Sequence, residues 1–148
     1  MALTDETKQS IITALDTSLD ESFIEEVLKR LDSFGYKIKE SDAWVIGFAM
    51  QKVKNTIENE CNISEIPDGL FHMAVDMSCG EFLLNKKQTG QLELGDLDLT
   101  GAVSSIKEGD TQVNFNDDES DSDKVDSLLN YLLNSGKGEL VCYRKIRW

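Results

Sequence analysis

His72 and Asp76 lie one helical turn apart, and a histidine beside a carboxylate is a common way to orient a general base. His72 is the only histidine of the chain. No serine, threonine or cysteine is placed by the sequence to act as its nucleophile, so the spacing favours a surface i,i+4 pair over a catalytic one. The run Asn116-Asp117-Asp118-Glu119-Ser120-Asp121-Ser122-Asp123 carries enough oxygens for a calcium ion. It lacks the glycine and the distant bidentate glutamate of an EF-hand loop, and reads as a solvated loop that caps a helix. Glu25 and Glu26 fall on the outer face of a helix and read as solvated charge. Neither of the glycine-rich phosphate-loop patterns GxGxxG and GxxxxGK[ST] is present, and no CxxC pair occurs. The expectation is a protein without catalytic residues, cofactor or metal, and not an enzyme.

The composition narrows the class further. The 148 residues, 40% hydrophobic and 29% charged, suit one globular domain. No apolar run approaches the roughly 20 residues that span a bilayer, and no basic region followed by an apolar one opens the chain. The expectation is a protein neither membrane-embedded nor exported by a signal peptide. Cys61, Cys79 and Cys142 show no metal-ligand spacing and read as reduced, mostly buried thiols of an intracellular product. The net charge of −13 is uneven: −5 over residues 1–60, −11 over 61–136 and +3 over 137–148. Such a body repels nucleic acid, so sequence-specific DNA binding is not expected.

The elements that must position these residues follow from periodicity. Thr4 to Leu15 can form a short helix carrying Ile11, Ile12 and Leu15. Phe23, Ile24, Val27, Leu28, Leu31 and Phe34 recur at helical spacing over 20–34, and Gly35 suits the C′ position. Ser41 can cap a helix over 41–61. One stripe of that helix is Ile46, Ala49, Met50, Val53 and Ile57, while Trp44 and Phe48 lie four apart on nearly the opposite side. The helix over 68–86 is apolar almost all round and reads as the central helix, with one side given to a subunit contact.

Residues 88–101 read as a linker with three glycines. Residues 103–115 read as a hairpin, with Val103, Ile106, Val113 and Phe115 flanking a turn at Gly109. A helix over 121–135, capped by Ser120 or Asp121, carries Val125, Leu128, Leu129 and Leu132. The last segment, 139–148, reads as an extended arm. Its Tyr143, Arg144, Lys145, Ile146, Arg147 and Trp148 have the composition of an interface anchor, which favours docking over packing back on the subunit or contacting nucleic acid. Trp44 and Phe48 read either as wrapped by their own subunit or as an aromatic patch for a neighbouring copy. The fold class expected is mainly α: a bundle of four to five helices with an inserted β-hairpin and an extended C-terminal arm. The chain is one domain, with 1–18 as an N-terminal extension and 20–86 as the helical core.

The order of these parts carries a resemblance. A helix ends near Cys61-Asn62, the only proline, Pro67, sets a turn, and a very apolar helix begins at once and runs through Met77 and Gly80-Glu81 to Leu84. A hairpin-like segment, a last helix and a basic tail follow. Over roughly residues 20–148 this order resembles the head–tail connector (adaptor, or head-completion) proteins of long-tailed bacteriophages. The resemblance implies a structural virion protein of the neck, assembled in the host cytoplasm as a ring, usually twelvefold. Such a ring docks on the portal, extends the DNA channel without binding DNA specifically, and presents a surface to the next neck or tail-completion protein. By position, it implies a subunit interface at Trp44, Phe48, Phe71, Val75 and Phe82 and a projecting hairpin at 103–115. It also implies that the helix at 121–135 and the tail 139–148 reach the portal. The acidic residues Asp117, Asp118, Glu119, Asp121 and Asp123 would suit a channel wall that must not hold DNA. A rival from another class is a monomeric acidic regulator, encoded by a phage or prophage, that binds one host protein through its aromatic face.

Overall fold

The computed structural model describes residues 21–92, 97–98, 121–134 and 136–145. The expected helix at Thr4–Leu15, the hairpin at 103–115, the residues Asp117, Asp118 and Glu119, and Ile146, Arg147 and Trp148 lie outside the described residues.

Four long helices and one short one make up the described body: α1 (Glu21–Ser33), α2 (Ala43–Cys61), α3 (Phe71–Gln88), α4 (Asp121–Asn134) and α5 (Leu140–Tyr143). No strand occurs among the described residues. The six apolar residues read from the α1 segment are all buried, as are the five of the α2 stripe and Val125, Leu128, Leu129 and Leu132 of α4. The helix ends follow local chemistry. Gly35 takes φ +84°, and the amide of Tyr36 returns to the Leu31 carbonyl at 3.2 Å in a Schellman-type stop. A side chain at Gly35 would also meet the backbone of Asp98, whose amide donates to the Phe34 carbonyl at 2.7 Å. Asn62 ends α2 at φ 54°, one of the few residue types that enters the left-handed region at modest cost. Pro67 (φ −64°) precedes a short 3-10 turn, Asp68–Leu70, that feeds α3.

The helices run alternately up and down. Phe23 of α1 meets Phe71 at the start of α3, and Tyr36 beyond α1 meets Phe82 near its end, so α1 and α3 are parallel. α2 is antiparallel to α3, with Asp42 beside Lys86 and Lys52 beside Glu81. α4 is antiparallel as well: Asp126 pairs with Lys87, Leu132 and Leu133 lie against Gly80, and Gly136 lies against Met73. Helix α3 is therefore packed by α1, α2 and α4 at once. That arrangement explains an apolar surface with no preferred face. It also places two of the residues expected at a subunit interface in the chain's own core: Phe82 is fully buried and Val75 nearly so. Phe71 is half-buried against Phe23 and His72.

A second correction concerns the C-terminal arm. Residues 137–143 are helical, and only from Arg144 is the backbone extended. A 3-10 turn, Lys137–Glu139, runs into α5, and Leu140 is buried. The Lys145 amide donates to the Cys61 carbonyl at 2.7 Å, and Asn62 Nδ2 donates to the Lys145 carbonyl at 2.9 Å. Arg144 bonds Glu60 through both its backbone carbonyl and its carboxylate. Tyr143 places its hydroxyl where a Gly69 side chain would stand. Tyr143, Arg144 and Lys145 thus strap the foot of α2 to the start of α3 within one subunit.

Of the expected linker 88–101, the described residues 88–92 and 97–98 are tied to the body. Gln88 closes α3, the amides of Gln91 and Leu92 return to the Lys86 carbonyl, and Leu97 is buried. The residues that flank the 22 positions 99–120 are Asp98, beside the end of α1, and Asp121, beside the end of α3. Both attachments lie at one end of the bundle, the end where α2 begins. The C-terminal strap closes the other end.

Candidate interaction surface

Trp44 and Phe48 project from the first turns of α2 on the side away from its buried stripe. Their rings stack at 5.2 Å with 20° between planes, and they remain 52% and 48% exposed. A stacked aromatic pair is rigid and costs little entropy to immobilise, which suits an interface anchor. Beside it runs a groove of about 280 Å³ lined by Val45, Phe48, Ala49, Lys52, Glu81, Leu84, Asn85 and Gln88. Its two walls are α2 and α3, bridged at one end by Lys52 Nζ and Glu81 at 3.1 Å. Small-molecule sites usually occupy roughly 300–1,000 Å³. A groove of this size suits one or two side chains of a partner.

The start of α2 is held by buried polar groups. Asp42 and Lys86 pair at 2.8 Å, and both side chains are less than a tenth exposed. The Tyr36 hydroxyl (2.8 Å) and the Lys39 amide (3.0 Å) donate to the other Asp42 oxygen, while Lys86 also donates to Gln91 at 2.9 Å. Burial pushes the Asp42 carboxyl upward, but the bonds from Lys86, Lys39 and Tyr36 outweigh it and hold the pKa below its ordinary value. The expected cap, Ser41, is replaced by a 3-10 turn, Glu40–Asp42, whose aspartate serves this cluster. No local sequence signal marks a pair 44 residues apart, and reasoning from the sequence missed it.

His72 and Asp76 border a second groove, of about 400 Å³, with Glu26, Lys29, Arg30, Ser33 and Val75. The surface pair expected from spacing is superseded by an interhelical one: Asp76 accepts from Arg30 Nε at 2.9 Å. Burial raises the Asp76 carboxyl, and Arg30 and His72 oppose that rise. The nearby Cys79 thiol is fully buried, donates to the Val27 carbonyl, and is pushed up strongly by burial, so it is not a nucleophile. The groove brings together an ion pair and a histidine, with no activated group beside them. Among the described residues no cluster of three His, Cys, Asp or Glu side chains could hold a metal ion. No described helix is long and apolar enough to cross a membrane.

Of the sequence-selected residues, the structure therefore leaves Trp44 and Phe48 at the surface. It places Val75 and Phe82 in the core, and Tyr143, Arg144 and Lys145 in the strap. Asp123 is exposed near the start of α4, at the same end of the bundle as Trp44. The groove wall from α3 (Glu81, Leu84, Asn85 and Gln88) was not singled out by the sequence, because an all-round apolar helix does not show which edge meets α2. No family model, no curated protein and no solved structure matches this chain.

Proposed function

We propose that this chain is a non-enzymatic structural protein of the phage neck, a ring-forming head–tail connector that joins a portal to the next neck or tail-completion component. The observation that carries the proposal is the stacked Trp44–Phe48 pair, displayed on a bundle that already buries its own central helix. A subunit with a complete core has no folding need for an exposed indole and phenyl ring, and such rings are the typical anchors of protein contacts. The order of parts along the sequence supports the narrower identification, since helices, a β-branched segment around Gly109, a last helix and a basic tail follow one another as in connectors.

The bundle is also two-ended, which suits a part placed between two neighbours. Residues 99–120 hold five acidic side chains and one basic one, and both their attachments lie at the aromatic end. Arg144 and Lys145 lie at the other end, with Arg147 two residues further along. A ring with an acidic channel wall passes DNA without retaining it, which accords with the net charge of −13. In this reading the described strap is not a free arm, and contacts with the portal fall to surfaces other than Tyr143, Arg144 and Lys145. The test is to mix the purified protein with a portal and image the product. A ring seated on the portal supports the connector. A portal left bare, with the protein recovered as a monomer bound to a host protein, favours the regulator.

A further inference from the structure

We infer that the groove beside Trp44 and Phe48 receives the C-terminal residues Ile146-Arg147-Trp148 of a neighbouring copy, in a head-to-tail contact between subunits. The first argument is reach. The backbone at Lys145 is bonded to Cys61 and Asn62 at the foot of α2. Phe48 lies 14 residues back along that helix, about 21 Å away at 1.5 Å per residue. Three further residues, fully extended, carry Trp148 at most about 11 Å from Lys145. Trp44 lies 18 residues back, about 27 Å away, so the chain's own Trp148 stops well short of that indole, and a tail seated against it belongs to another copy.

The second argument is chemical. Arg147 and Trp148 form a cation followed by a large aromatic, and the receiving surface offers an exposed indole, a phenyl ring, the apolar side chains of Ala49 and Leu84, and Glu81, which Lys52 already pairs. Arginine on the face of tryptophan is the strongest of the common cation–π pairings. A tail with Arg144, Lys145 and Arg147 is also attracted to a chain of net charge −13 whose exposed Asp123 lies at the same end of the bundle as Trp44. The third argument is symmetry. The groove and the tail root lie at opposite ends of the bundle, so the contact joins unlike surfaces. Such a heterologous contact, repeated around a closing rotation, makes a ring and leaves no unmatched groove. The inference deepens the connector reading and rests on it for ring closure, while the contact itself does not depend on a portal.

Two variants of the full chain test it: one ending at Lys145, and Trp44→Ala/Phe48→Ala. The first keeps the groove and lacks the tail; the second keeps the tail and lacks the groove. Both should retain the helical circular dichroism of the parent, because the truncation leaves the described helices whole and Trp44 and Phe48 are half-exposed. Sedimentation of each alone should show its association constant reduced by about 30-fold or more relative to the parent, the usual scale for losing an interface anchor. An equimolar mixture of the two should form one-to-one heterodimers that grow no further, since only one groove and one tail remain to pair. A mixture that stays monomeric, or a truncated chain that associates like the parent, overturns the inference. Rings formed on a portal by the truncated chain would overturn this contact while leaving the connector reading standing. Heterodimers with no ring on any portal would do the reverse.

Discussion

Asp42 is 1% exposed among Lys86, Tyr36 and the Lys39 amide, and its charge therefore bears directly on stability. Its folded-state pKa lies below the ordinary 3.8, so its contribution is present above that value and is lost as pH falls through the lower folded-state value. Asp76 has the opposite sign. Its folded-state pKa is raised, so acidification through that raised value toward 3.8 favours the fold. Urea titrations across pH should separate the two. Asp76→Asn should remove a gain in stability above pH 3.8, and Asp42→Asn should remove a loss below it. Asp42→Ala, which leaves Lys86 buried with only Gln91 as partner, should cost about 3 kcal/mol or more at neutral pH. An unchanged urea midpoint for that variant would contradict the buried pair. The thiols offer a further check. Cys142 is exposed while Cys61 and Cys79 are buried with raised pKa values, Cys61 first through burial. One thiol should react rapidly with an aromatic disulfide and two only on unfolding; a second fast thiol, at Cys61, would mean that the strap does not cover the foot of α2.

Among the elements, the strap over 137–145 departs most from what its sequence suggests. Leu140→Ala should cost about 2 kcal/mol or more, as for a buried leucine. Removing 139–148 should cost more still, because it also frees the end of α2. Removing only 146–148 leaves Leu140 and the bonds of Lys145 in place and should cost less than either. Equal stability for all three variants would contradict the packing of the strap. The contrast with α1, α2 and α4 shows what the sequence could reveal. Each of those helices carries an apolar stripe at 3.6-residue spacing, and the stripe names both the element and its buried face. Helix α3 has no stripe, so its sequence marks it as central without saying whether α1, α2 and α4 or another subunit supply the cover. The strap's basic and aromatic residues have the composition of a free anchor, and nothing local marks the bonds that tie Lys145 to residues 83 and more positions earlier. Trp44 and Phe48 were legible as a pair because they sit opposite a clear stripe. Their groove was not, because its second wall comes from α3.

At the scale of the whole molecule, the up-and-down bundle separates two ends with different chemistry, and this separation underlies the connector proposal. One end carries the aromatic pair, the groove and both attachments of the acidic 99–120 segment. The other is closed by the basic strap. The free protein should not retain duplex DNA at physiological salt, since its 28 acidic side chains outnumber 15 basic ones and half of the basic cluster's arginines already contact Glu60. A mobility shift at micromolar protein would contradict a conduit role. The most direct test of the central claim is electron microscopy of the protein mixed with a purified portal, run beside Trp44→Ala/Phe48→Ala. The connector account predicts a closed ring of copies seated on the portal with the parent chain and none with the folded double variant. A bare portal with the parent chain, or an unchanged ring with the variant, would contradict it.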